Sequence, residues 1–223
     1  NDAGTAGPPE GEVRLGGGGG LKHPDPAPEP TSRSAPPDAA GSQAQRPAAR
    51  NARDLEKALL HRAGDAIARY GMIREGDRVA VALSGGKDSL ALLELLLRLQ
   101  RRAPVEFSLC AFTIEQGKFL RPVEALARYL EERGIAWTYY RDKPSLRLIN
   151  DQPEHGCDLC SRHRRRAVYE VARGLGAGVI AFGHTADDFC EAFLRNAFFT
   201  GRISSLPPVT WSRDREFRLI RPL

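Results

Sequence analysis

From residue 54 to residue 70, Leu55, Ala58, Leu59, Ala63, Ala66 and Ile67 recur at helical spacing, which predicts a helix with one face packed on the rest of the molecule. The pattern then changes. Runs at 78–83, 105–113, 136–141 and 178–182 are short, apolar and bounded by polar or glycine-containing stretches, so they read as strands. Helical spacing returns between them at 89–101, 119–133 and 161–174, and again at about 186–199. A turn through Pro207 and Pro208 leads to a last strand near 217–221. Strands alternating with helices predict an α/β fold with a doubly wound, mostly parallel sheet. Its ligand site is expected beyond the carboxyl ends of the strands. No internal repeat interrupts the alternation.

Composition adds a boundary. Residues 1–52 are rich in Gly, Pro, Ala and Ser, with glycine at every position from Gly16 to Gly20 and almost no aromatic or β-branched side chains. Such a segment cannot bury enough apolar surface to offset its ordering entropy, so it is expected to be a disordered tail ahead of one domain at 53–223. The chain starts at Asn1 and stops at Arg221-Pro222-Leu223 as an apolar segment begins, so the domain reads as truncated at its C-terminus. The tail has five basic and six acidic residues, which leaves +6 of the formal charge on the folded part. That balance favours an anionic partner without identifying nucleic acid by itself. No stretch approaches the about 20 apolar residues of a membrane span, and no signal peptide is legible, so the expectation is a cytoplasmic protein with no membrane partner.

The chemistry starts where the run Val79-Ala80-Val81-Ala82-Leu83 breaks into Ser84-Gly85-Gly86-Lys87-Asp88-Ser89 and then into a leucine-rich helix. Glycines let the backbone turn sharply and bring its N–H groups close to a ligand. The following helix aims the positive end of its dipole at the same place, so an anion is expected there. Lys87 adds a mobile charge, Ser84 and Ser89 add hydroxyls, and Asp88 offers an oxygen to a hard cation or a backbone cap. The set suits a nucleotide polyphosphate with Mg2+. It departs from the Walker A pattern, because an Asp follows the lysine.

A second signal is Cys157-Asp158-Leu159-Cys160, followed by Ser161-Arg162-His163-Arg164-Arg165-Arg166. Two cysteines separated by two residues fit a redox pair, half of a zinc site, an iron–sulfur ligand pair or two unremarkable thiols. A cationic run beside them lowers thiol pKa values and attracts polyanions, although it also reads as the solvated face of a helix. Cys110 and Cys190 sit in apolar surroundings and carry no assigned chemistry. In Gly183-His184-Thr185-Ala186-Asp187-Asp188, Thr185 or Asp187 is placed to cap the next helix.

Taken together, these residues resemble a known family. Residues 84–89 resemble the PP-loop of the ATP pyrophosphatases, which cleave ATP to AMP and pyrophosphate while activating a carbonyl oxygen as its adenylate. The cysteine pair with its basic run, the Gly183 to Asp188 segment, Leu206-Pro207-Pro208 and Ile220-Arg221-Pro222-Leu223 resemble, in order and spacing, the TtcA family of tRNA 2-thiocytidine synthetases.

That resemblance implies a Rossmann-like PP-loop fold and replacement of the C2 oxygen of an anticodon-loop cytidine by sulfur. It implies ATP, Mg2+ and a 4Fe-4S cluster as cofactors, tRNA as partner, a cysteine desulfurase as sulfur source and a homodimer. ATP would bind Ser84, Gly85, Gly86, Lys87, Asp88 and Ser89, with Lys87 and Asp88 carrying catalysis. His184 would touch the phosphates, and Asp187 or Asp188 would help place Mg2+. Cys157 and Cys160 would be two of three cluster ligands, the third lying beyond the chain end. Two departures stand out. Thr113-Ile114-Glu115-Gln116-Gly117 replaces an Asp-Gln pair and its Lys-Gln-Pro-Gly run, and Ala186 stands where a basic residue is common. The latter version is closer to the tRNA lysidine synthetases, the runner-up, which typically lack the cysteine pair. A nucleotide-binding module without thiolation activity is the other alternative.

Overall fold

The computed structural model describes residues 12–15, 48–116, 123–143 and 157–223. In chain order the elements are β1 (Glu12–Leu15), α1 (Ala48–Arg69), β2 (Asp77–Ala82), α2 (Lys87–Gln100), β3 (Phe107–Glu115), α3 (Val123–Glu131) and β4 (Trp137–Arg141). After these come α4 (Cys157–Gly174), β5 (Val179–Phe182), α5 (Ala186–Thr200), β6 (Val209–Trp211) and β7 (Arg218–Ile220). The strands form one seven-stranded sheet in the order β1-β4-β3-β2-β5-β7-β6. β4, β3, β2, β5 and β7 run parallel, while β1 and β6 close the two edges antiparallel.

The alternation of side chains along the strands builds two apolar layers. On one face Val79, Val81, Ala111 and Val179 pack with Leu92, Leu93 and Leu96 of α2 and Leu126 and Leu130 of α3. On the other, Ala80, Cys110, Phe112 and Ile180 pack with Ala167, Val168, Val171 and Ala172 of α4. Strands covered on both faces read as continuous apolar runs, which is why β2 and β5 stand out in the sequence. The chain starts at the centre with β2, moves outward through β3 to β4, then returns across the sheet to β5 and β7. Right-handed crossovers in opposite directions put α2 and α3 on one face and α4 on the other. The reversal falls between β2 and β5, the switch point at which an open α/β sheet leaves a crevice beyond the carboxyl ends of its strands.

The structure departs from the sequence reading at the edges. The segment expected to be a disordered tail contributes β1, which pairs with β4 from Glu12 opposite Arg141 to Leu15 opposite Thr138. Without it β4 would present an open row of backbone donors and acceptors, which a short extended segment can satisfy. The helix expected from residue 54 starts at Ala48, in a stretch of alanine and arginine that favours helix. The rest of the tail, and the start of the helix expected at 119–133, lie outside the described residues. β6 was not anticipated; its three residues gain their order from pairing with β7.

One buried ion pair ties the far end of the sheet together. Arg218 on β7 reaches past the start of β5 to pair with Asp77 at the start of β2, and its Nε donates to the Met72 carbonyl at 3.1 Å. The two side chains are 5% and 18% exposed, so neither charge is well solvated alone. Asp77 also accepts from the Arg74 amide at 2.6 Å, which fixes the turn entering β2. Replacing Asp77 by Ala would strand the guanidinium. A loss of about 3 kcal/mol is expected in urea unfolding, whereas an exposed pair would cost far less.

Candidate functional site

Residues 84–86 leave β2 at the switch point and turn into α2. Gly85 takes the turn at φ 77°, a conformation that side chains disfavour. Ser89, one turn into α2, is buried at 4% exposure and acts inward: its Oγ donates to the Gly86 carbonyl at 3.0 Å and accepts the Ser84 amide at 3.3 Å. Ser84 Oγ lies 3.3 Å from Ser89 Oγ and accepts from the Gly86 amide at 3.4 Å. The two hydroxyls hold the loop's shape, and exposed Ser84 is the one open to a ligand.

The other side of the site comes from the β5–α5 connection. At Gly183 an added Cβ would lie 2.8 Å from the Ser89 amide nitrogen and 2.9 Å from its Cα, so the two loops touch backbone to backbone. Thr185 caps α5, with its amide and Oγ1 donating to Asp188 Oδ2 at 2.7 and 3.1 Å. This holds the Asp188 carboxyl below its usual value, the backbone bond being the larger cause.

Between the loops lies a cleft of about 380 Å3. Its lining combines polar residues, Ser84, Gly86, Asp88, Ser89, His184 and Asp188, with apolar ones, Phe112, Ile114, Val168 and Phe182. That combination suits a ligand with both anionic and flat apolar parts. Lys87, next to Asp88 of the lining, stands exposed, its Nζ bonded to Asp88 Oδ1 at 2.8 Å. Its pKa is raised by the Asp88 bond first, then by the charges of Asp88, Asp187 and Asp188. Burial first, then the Arg221 guanidinium, lower the pKa of His184 against the opposing pull of Asp188.

The expected residues therefore converge in part. Ser84, Gly86, Asp88, Ser89, His184 and Asp188 line one cleft, while Gly85, Lys87 and Asp187 fall outside its lining. No group of three or more His, Cys, Asp and Glu among the described residues is placed to hold a metal ion by itself. Asp88 and Asp188 facing a phosphate cradle instead fit Mg2+ carried in by a polyphosphate, whose charge they would otherwise repel. Arg164 was one member of an undivided basic run in the sequence; it lines the cleft, whereas Arg166 pairs with Glu170 at 2.7 Å. Ile114, in the segment that departs from the family pattern, is one of the apolar lining residues. Cys157 and Cys160 fall on the first turn of α4, and their side chains lie outside the described residues.

A family model described as a PP-loop domain matches residues 55–223. The chain belongs to the PP-loop family. Residues 84–89, which resemble the PP-loop and are called so below, lie within the match at the end of the central strand. A tRNA-cytidine(32) 2-sulfurtransferase of Variovorax paradoxus is 42% identical over 177 residues, covering 78% of this chain and 57% of the relative. One of Methylococcus capsulatus is 44% identical over 171 residues, 76% of this chain and 59% of the relative. The chain thus spans a little over half the length of these curated relatives. Among solved structures, the U34-tRNA thiolase NcsA from Methanococcus maripaludis with its 4Fe-4S cluster shares the fold. Its TM-score is 0.58 at 24% identity, covering 75% of this chain and 57% of that one. No helix among the described residues is long and apolar enough to cross a membrane.

The contact at Gly183 makes a sharp prediction. Gly183→Ala must push the PP-loop away from the β5–α5 loop, so nucleotide affinity is expected to fall at least about tenfold, read by calorimetry. An unchanged affinity would show that the loops separate freely. The lowered His184 pKa sets a pH dependence. The unfolded chain protonates this group at the ordinary value of 6.5 and the folded chain only below it. Stability is then full above that value and declines as pH falls from it towards the lowered one. His184→Gln is expected to reduce the drop in urea midpoint between about pH 7.5 and 5.5.

Proposed function

We propose that this chain is the ATP-using domain of a tRNA thiolation enzyme that converts an anticodon-loop cytidine to 2-thiocytidine. The observation that carries the reading is a phosphate cradle at the switch point of a chain about 42% identical to proteins named tRNA-cytidine(32) 2-sulfurtransferase. ATP would lie with its phosphates against the Ser84 hydroxyl and the start of α2. Lys87 would neutralise the departing charge, and Asp88 and Asp188 would face the accompanying Mg2+. The base would lie beside Phe112 and Ile114.

In the reaction the C2 oxygen of cytidine attacks the α-phosphorus, the bond to the β-phosphate bridge breaks, and pyrophosphate leaves. A sulfide sulfur then bonds to C2 while the C2–O bond to AMP breaks, leaving a thiocarbonyl. The residues' part is to hold the phosphates in line and to supply positive charge where it develops. An anticodon loop suits this chemistry because its bases are reached without opening a duplex.

The sulfur side of the reading rests on α4. Positions 157, 160, 164 and 168 fall within one stripe of this helix, and Arg164 and Val168 of that stripe line the cleft. Position 160 is one helical turn from Arg164, about 6 Å along the axis, which supports reading the cysteine pair as a cluster site near the cleft. Cys157 and Cys160 would hold two irons' worth of protein ligation in a 4Fe-4S cluster, whose chemistry when bound is to offer an iron without a protein ligand to incoming sulfide. The same proposal takes sulfur from a cysteine desulfurase, whose persulfide a thiol reductant cleaves to sulfide by supplying two electrons, and includes a cytoplasmic setting and a homodimer.

The test is mass spectrometry of tRNA nucleosides from cells lacking the gene, complemented with the full-length wild-type protein or its Lys87→Ala variant. Wild type is expected to restore 2-thiocytidine, and Lys87→Ala to reduce tRNA-dependent pyrophosphate release by about a hundredfold with an unchanged melting temperature. Unaltered 2-thiocytidine in the deletion strain would redirect the reading to another adenylation.

A further inference from the structure

Helix α5 has 15 residues and buries none of them. The half-exposed positions Asp188, Phe189, Ala192, Asn196 and Ala197 turn one side of it towards the domain. On the opposite side Asp187, Glu191, Leu194 and Phe198, at spacings of four, three and four, form one exposed line. Phe199 and Ile203 extend its apolar end. Phe198, Phe199 and Ile203 are 78%, 84% and 86% exposed. A single exposed leucine is ordinary on a protein surface, but large apolar side chains grouped on one helix face mark a contact surface.

Charge brackets this patch. Asp187 and Glu191 precede it on the same line, and Arg202 follows it; none of the three forms a salt bridge with a described residue. Acid first and base last also suits the helix dipole. The dipole, however, asks nothing of Leu194 and Phe198, which it leaves in water. Two carboxylates on the line repel a phosphate backbone, which turns this face away from RNA. A twofold contact uses one patch twice, so it needs an apolar centre with opposite charges at its two ends. That is the order along α5: Leu194 comes seven residues after Asp187 and eight before Arg202.

We propose that two copies of this chain pair through α5, the two helices antiparallel about a twofold axis beside Leu194. Asp187 then lies opposite Arg202 of the partner subunit, and the symmetry repeats the pair at the other end. Leu194 and Phe198 pack against the partner's apolar line and leave water. Asp187 precedes Asp188 of the cleft lining, and its charge is felt by Lys87, so the pairing sets the second copy beside the nucleotide cleft. It also gives Asp187, which the lining omits, a use of its own. The inference deepens the homodimer of the reading above by naming its surface, while it depends on α5 alone.

The experiment is sedimentation equilibrium of the full chain for wild type, Phe198→Asp, Asp187→Arg and Arg202→Asp, with circular dichroism showing that each variant is folded. Wild type is expected to dimerise, and Phe198→Asp to weaken association by at least about a hundredfold. Each charge reversal alone sets like charges opposite one another and is expected to weaken it by about tenfold. Mixing Asp187→Arg with Arg202→Asp restores opposite charges at both ends of an antiparallel pair, so the mixture is expected to associate as the wild type does. A wild type that stays monomeric at about 100 μM, a dimer indifferent to Phe198→Asp, or a mixture no tighter than its components would overturn the pairing. Binding of an anticodon stem-loop RNA by a monomeric wild type, lost in Phe198→Asp, would overturn it in favour of RNA on this face. Pyrophosphate release and 2-thiocytidine formation are read separately, so a monomer would leave the thiolation reading standing.

Discussion

Where Gly183 meets Ser89 there is no room for a side chain, and the geometry of the site follows from that contact. The PP-loop leaves β2 and the β5–α5 loop leaves β5, neighbouring parallel strands. Backbone contact at Gly183 brings Asp88 and Ser89 on one side together with His184 and Asp188 on the other, enclosing one cleft. The apolar layers set the height of β2 and β5 within the sheet. The glycine sets how closely their loops approach above it.

Electrostatics then divide the work within that enclosure. Lys87 is solvated and mobile, surrounded by carboxylates that keep it charged. Arg221, outside the cleft lining beside the Phe182 ring, is half-buried and tied to a carbonyl. Asp188 is committed through one oxygen to the cap of α5, so it orients the helix as well as facing the cleft. A similar economy appears at the opposite end of the sheet, where Asp77 both fixes a turn and neutralises the buried Arg218.

The parallel strands and the covering helices were legible because they are buried on both faces or on one stripe, and burial imposes a period on the sequence. The PP-loop was legible because glycine, lysine and hydroxyl residues are concentrated in six positions. What escaped was set by tertiary partners. β1 and β6 are short edge strands that take their order from β4 and β7. Ser89 has the composition of a phosphate ligand, yet its hydroxyl is turned inward by the Gly86 carbonyl. The requirement for glycine at 183 comes from a residue 94 positions away, and Arg164 differs from its basic neighbours only through the face of α4 on which it sits. Asp187, equivalent to Asp188 in the sequence, falls outside the cleft lining because the cap uses the residue one position later.

The inward-turned Ser89 hydroxyl has a thermodynamic consequence. With its amides already arranged around Gly85 and tied by Ser84 and Ser89, the PP-loop gives up little conformational entropy on capture of a polyphosphate. Recognition there is rigid, and release of the product that occupies it depends on breaking contacts rather than on refolding the loop. Beside this fixed loop, Lys87 is the contrasting element, a solvated cation free to move with a ligand.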